Sequence, residues 1–169
     1  MNTKKVTTLA LLSAIALTIF LLEAQIPPVV PIPGVKLGLA NIVTVFAVFV
    51  LGAKDGAAIL LVRVFLGAIF SGNFGTIFYS AAGGALAILV TMGLKFVLQE
   101  NQIWIVGCLG AVAHSVGQMI AALMIAQTPS LLIYLPVLVV CSVITGSFTG
   151  FCVQLLVKRG KKLWTTIFK

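Results

Sequence analysis

Apolar residues in this chain come in long blocks, and polar residues are pushed into the gaps between them. Six blocks can be drawn, at roughly 6–26, 36–52, 56–71, 76–98, 103–126 and 130–157, against about 20 residues for one helical crossing of a bilayer. The second and third are short and the last is long. None alternates residue by residue as a barrel strand would. Backbone groups in lipid must be paired internally, so the blocks are predicted to be helices. No linker, low-complexity run or internal repeat interrupts them, which predicts one domain over residues 1–169.

The gap between the first two blocks stands out. From Glu23 to Asn41 it reads Glu-Ala-Gln-Ile-Pro-Pro-Val-Val-Pro-Ile-Pro-Gly-Val-Lys-Leu-Gly-Leu-Ala-Asn, and it holds four of the six prolines. Proline lacks the backbone donor and clashes with the preceding turn, so no helix runs through Pro27, Pro28, Pro31 and Pro33. Glu23, Gln25, Lys36 and Asn41 give this rigid connection a polar edge.

Composition turns these blocks into a membrane protein. Of the 169 residues 61% are hydrophobic and 8% charged, where a soluble domain carries about a quarter charged residues. Only a bilayer hides so much apolar surface. The net charge of +8 does not point to nucleic acid, because the basic residues sit at chain ends and in short loops rather than on an aromatic-interleaved polar face. With six spans, both termini and the 2–3 and 4–5 connections share one side. That side collects Lys4, Lys5, Lys54, Lys95, Lys158, Arg159, Lys161, Lys162 and Lys169, and the other receives Lys36 alone. The positive-inside rule then predicts a bacterial plasma-membrane protein with cytoplasmic termini and an external Pro-rich loop. Residues 71–75 and 126–130 form the other external connections. Lys4 and Lys5 before an apolar run resemble a secretion signal, but the run ends in Leu-Glu-Ala-Gln without a small-x-small site, so a retained first span is expected.

Candidate chemistry is sparse. Cys108, Cys141 and Cys152 are isolated and His114 is the single histidine, so neither a disulfide framework nor a metal site is expected. No intramembrane Asp/Glu pair, Ser-His-Asp order or phosphate-binding loop is present, which argues against catalysis or ATP hydrolysis by this chain and calls for no cofactor. Arg63 lies about two turns inside the third block, where a charge costs at least a few kcal/mol unless paired or hydrated. It must face the protein interior or a wet cavity, or snorkel toward the headgroups. His114 and Gln118 share one face of the fifth helix, for ligand contact or interhelical hydrogen bonding alike. With Lys36, Asn41, Asn73 and Tyr79 they suggest an outward-facing polar pocket, although Tyr79 and Tyr134 also suit interfacial aromatics. Lys36 and Arg63 bias that pocket toward an anionic group. Small residues at helical spacing, Ala10/Ala14, Ala113/Gly117/Ala121 and Gly146/Gly150, invite close approach of another helix, in a partner or within the chain.

The run Pro33-Gly-Val-Lys-Leu-Gly-Leu-Ala-Asn41, after a Pro-rich turn and before a short apolar helix, resembles the signature of the family called Gx transporter or heptaprenyl diphosphate synthase component I, over nearly the whole chain. That family in turn is similar to the substrate-binding S-components of energy-coupling factor (ECF) importers. The resemblance implies a six-helix bundle with an external pocket lidded by the loop between helices 1 and 2. It further implies docking to a transmembrane coupling subunit, powered by two cytoplasmic ATPases, through an Ala-x-x-x-Ala face that Ala10 and Ala14 match. The enzymatic name fits poorly: prenyl diphosphate synthases use Asp-rich magnesium sites, and Asp55 is the one aspartate here. Relatives are also linked to flavin-based extracellular electron transfer. The alternative expectation is therefore a membrane subunit that serves a flavin-carrying protein or a quinone, or one that anchors a partner of quinone and prenyl metabolism.

Overall fold

The computed structural model describes residues 3–27 and 36–167, with side chains described as far as Gly160. Residues 28–35, which hold most of the expected Pro-rich lid, lie outside the described residues. The described chain is all α-helical: α1 (Thr3–Glu23), α2 (Asn41–Val50), α3 (Ala53–Ser71), α4 (Thr76–Val97), α5 (Ile103–Ala126) and α6 (Leu135–Ile167). Short 3-10 turns at Glu100–Gln102 and Pro129–Tyr134 lead into α5 and α6.

Six helices therefore stand where six apolar blocks were drawn, but they are not six equal spans. Among the described residues four stretches are long and apolar enough to cross a membrane: Thr3–Glu23, Thr76–Val97, Glu100–Ala126 and Pro129–Gly160. The second block, drawn over 36–52, yields a helix of 10 residues. At 1.5 Å per residue it rises about 15 Å, half of a roughly 30 Å hydrocarbon core. α3 has 19 residues but carries Lys54, Asp55 and Arg63. Outside, the bundle is apolar. Phe65, Phe70, Phe78, Leu89, Phe96, Ile144 and Phe148 are each at least 60% exposed, an outer surface suited to lipid in a multi-pass membrane protein.

α2 is apolar apart from Asn41 and Thr44 because its neighbours enclose most of it. Val43 and Ala47 pack with Ala16 of α1 and Ile59 of α3. Val45 and Phe46 pack with Ile103 of α5 and Val153 of α6. Its C-terminal carbonyls find a donor in Lys95 of α4, whose Nζ donates to the Val48 oxygen at 2.7 Å and the Phe49 oxygen at 3.2 Å. Near this end Lys5 pairs with Asp55 at 2.9 Å, tying the start of α1 to the start of α3.

Helices α5 and α6 meet backbone to backbone. A Cβ on Gly107 would run into the Gly150 Cα, and one on Gly146 would lie 2.6 Å from the Ala111 Cβ. The Ser115 and Ser142 hydroxyls bond to each other across this seam, and the Gln154 side-chain oxygen accepts the Trp104 N–H at 3.4 Å. Gly117 is pressed against Ala82 and Gly83 of α4 in the same way. The small residues of α5 and α6 thus serve packing inside the chain. Ala10 and Ala14 of α1 do not, since both are exposed.

Candidate functional site

Because α2 is short, its N-terminus ends partway along its longer neighbours, and the chain before it drops into the bundle. Gly38, in that preceding segment, has φ of +81°, a left-handed conformation that glycine takes without a Cβ penalty. Its N–H donates to the Glu23 Oε1 at 2.6 Å, and the Ala40 N–H is a second backbone partner of the same carboxylate. Glu23, at the end of α1, is 5% exposed. An acidic side chain thereby holds the otherwise uncapped entry to α2, where the helix dipole favours negative charge.

Around this turn the structure gathers polar groups from α1, α3, α5 and the segment before α2. The Lys36 N–H donates to the Gln118 Oε1 of α5 at 3.3 Å. Its ammonium lies 3.5 Å from the centre of the Phe20 ring of α1. The Arg63 guanidinium of α3 lies 5.9 Å from the same ring, so two cations share one aromatic side chain. Lys36 lies outside the helices. Burial pushes its ammonium below the ordinary lysine value, Glu23 opposes that shift, and Arg63 adds to it. Arg63 in turn interacts electrostatically with both Glu23 and His114.

His114 is seated by two glycines. A Cβ on Gly38 would lie 2.9 Å from the His114 Cδ2, and one on Gly83 of α4 would lie 2.9 Å from the His114 Nδ1. Arg63, His114, Gln118 and Asn41 are buried, at 2%, 3%, 1% and 4% exposure. Arg63 is therefore enclosed and does not snorkel to the surface. The burial is incompletely answered: among the described residues Arg63 Nε and Nη2, Asn41 Oδ1, Thr44 Oγ1 and His114 Nδ1 have no hydrogen-bond partner. Leaving one such buried group unpaired costs about 1–3 kcal/mol, more when it is charged. Each such group calls for a partner that the described residues do not supply.

The expected pocket residues divide. Lys36, Arg63, His114 and Gln118 come together, and Asn41 follows three residues after Gly38, at the start of α2. Tyr79 is half-buried against an apolar cluster of Met119, Ala122 and Leu138, as is Tyr134. Asn73 stands on the exposed turn between α3 and α4, where its Oδ1 accepts the Gly75 N–H at 3.1 Å. The sequence shows Glu23 on the polar edge of the Pro-rich connection without marking it as a site residue, although it is the one acid outside the two short 2–3 and 4–5 connections. Phe20, one of eleven phenylalanines in an apolar run, gave no such signal. Gly38 gave no such signal either; its positive φ has only its glycine identity as a trace. On α1, Ala10 and Ala14 form an exposed row with Thr7 and Thr18. The threonine hydroxyls bond back to the Thr3 and Ala14 carbonyls, so the row offers small surfaces with its polar groups already satisfied. Among the described residues no three His, Cys, Asp or Glu side chains gather as metal ligands.

The sequence profile of the family described as heptaprenyl diphosphate synthase component I matches residues 12–156. The match spans all of the residues gathered around Arg63 and falls on the family indicated by the Pro33–Asn41 run. No curated protein and no solved structure matches the chain.

Proposed function

Because the chain belongs to the heptaprenyl diphosphate synthase component I family, whose description names one component of a larger assembly, we propose that it is the substrate-capturing membrane component of a transporter-like system. In this reading it takes up a small molecule from the external side in the manner of an ECF S-component. It passes the molecule inward against a transmembrane coupling subunit driven by cytoplasmic ATPases. The observation that carries the proposal is the enclosed polar cluster around Arg63, Lys36, Glu23, His114 and Gln118. It lies inside a largely apolar bundle, and Lys36 belongs in sequence to the run expected to form the lid. Intramembrane polar groups left without partners mark substrate paths more readily than packing devices.

The exposed Ala10/Ala14 row supports the second half of the reading. It is a small-residue face on a helix whose other face is packed, and such a face suits a second membrane helix. The enzymatic part of the family description is better assigned to a partner. Asp55, the one aspartate of the chain, is engaged by Lys5 at 2.9 Å and supplies no Asp-rich magnesium site.

Gentle purification of the full chain from native membranes, followed by mass spectrometry of whatever accompanies it, tests the proposal. The expected result is a coupling subunit, ATPase peptides and a bound water-soluble molecule. A flavin-bearing protein or a quinone, with no ATPase, would sink the importer reading and promote electron transfer.

A further inference from the structure

Arg63 leaves one particular edge of its guanidinium unused. The Nε–H and the Nη2–H beside it point the same way in parallel, and these two nitrogens lack partners among the described residues. That edge matches the spacing of two oxygens on one carboxylate or phosphate, the bidentate pairing for which arginine is suited and lysine is not. We propose that the Nε–Nη2 edge of Arg63 is an oxyanion-binding site that receives a carboxylate or phosphate group. This rests on the capture reading above and names the chemical class of what is captured.

Three further observations agree. The carboxylate nearest to hand, Glu23, is taken up by the Gly38 N–H at 2.6 Å, and no ion pair joins it to Arg63 among the described residues. Lys36 and Arg63 bring two positive charges to a region where Glu23 supplies one negative charge, so a second anion would balance a poorly hydrated site. An arginine that merely tied helices together would spend its N–H groups on backbone carbonyls. Here the bidentate edge has no partner among the described residues. Asn41 Oδ1, also buried and without a partner among the described residues, provides an acceptor for a ligand that carries a donor as well as its oxyanion.

The test uses the full chain in maltoside micelles, a phosphate-free detergent. Thermal unfolding is followed with sodium phosphate, sodium acetate or sodium chloride at equal ionic strength, and separately with added dioleoyl phosphatidate. A concentration-dependent rise in Tm with phosphate or acetate, beyond that with chloride, is expected. The rise should vanish in Arg63→Lys, which keeps the charge and loses the fork. A rise with phosphatidate alone would uphold the same oxyanion chemistry and assign it to a lipid headgroup. Should Arg63→Lys fail to fold, a second measurement decides. Arg63 and Arg159 are the two arginines of the chain, so Arg159→Lys leaves one arginine Nε–H resonance, which phosphate or acetate should move. No shift above chloride in either experiment, or an equal Tm rise in Arg63→Lys, overturns the proposal. Failure here is separable from failure of the importer reading. A neutral molecule co-purified with a coupling subunit would leave capture standing without this site, and anion binding with no coupling subunit would do the reverse.

Discussion

A buried guanidinium is expensive wherever it is placed, and its surroundings show how this bundle accommodates it. Arg63 leans toward the Phe20 ring, feels the Glu23 carboxylate, and keeps two donors unspent. Beside it, His114 fits because Gly38 and Gly83 have no side chains. Gly38→Ala would place a Cβ 2.9 Å from the His114 Cδ2 on a backbone at φ +81°. Steric overlap and left-handed strain together should cost about 1–3 kcal/mol. Thermal or denaturant unfolding in detergent measures the loss. In a double-mutant cycle with His114→Ala, the overlap should be relieved and the backbone strain should remain, so the pair should cost less than the sum of the two singles. Strict additivity would show that Gly38 and His114 do not press on each other.

Short α2 organises the next level. Its apolar faces are spoken for by α1, α3, α5 and α6, its entry is held by Glu23, and its exit carbonyls are held by Lys95. Lys95→Met should destabilise the fold by about 1–2 kcal/mol, since two carbonyls at a helix C-terminus lose a charged donor. An unfolding curve superimposable on the parent would show that water replaces the lysine at no cost. The exposed row on α1 predicts the opposite pattern. Ala14→Trp adds bulk at an exposed position, so stability should change by less than about 0.5 kcal/mol. Co-purification with a coupling subunit should be abolished. Complex recovered in parent yield from Ala14→Trp membranes would remove the docking role from this face.

At the scale of the whole molecule, the contacts place the start of α1, the end of α2, the start of α3 and the end of α4 near one another. The basic residues Lys4, Lys5, Lys54 and Lys95 lie on these segments. By the positive-inside rule that end is expected to face the cytoplasm, and labelling tests this. In a background with Cys108, Cys141 and Cys152 replaced, Asn73→Cys should react with a membrane-impermeant maleimide in intact cells. Lys54→Cys should react only after the cells are opened. The reversed pattern would invert the topology and put the polar cluster on the wrong side for external capture.

The membrane class, the all-helical fold and the position of most helices could be read from the chain, because block length, proline placement and apolar content act locally on a segment. Even the charged site candidates Lys36 and Arg63 were legible, since a charge in an apolar block is conspicuous wherever the block ends up. Companionship was not legible. Whether Gly146 and Gly150 meet a second copy or α5 is a property of two surfaces, and only packing assigned them to Gly107 and Ala111. That Phe20 joins the cations while Tyr79 joins Met119 and Leu138 has the same origin. So does the shortness of α2, which the second block, drawn over 36–52, concealed. Hydropathy reports how much a residue avoids water and carries no record of which neighbour will shield it. The depth at which α2 begins, and hence which polar groups meet beneath it, was settled by six helices finding mutual contact.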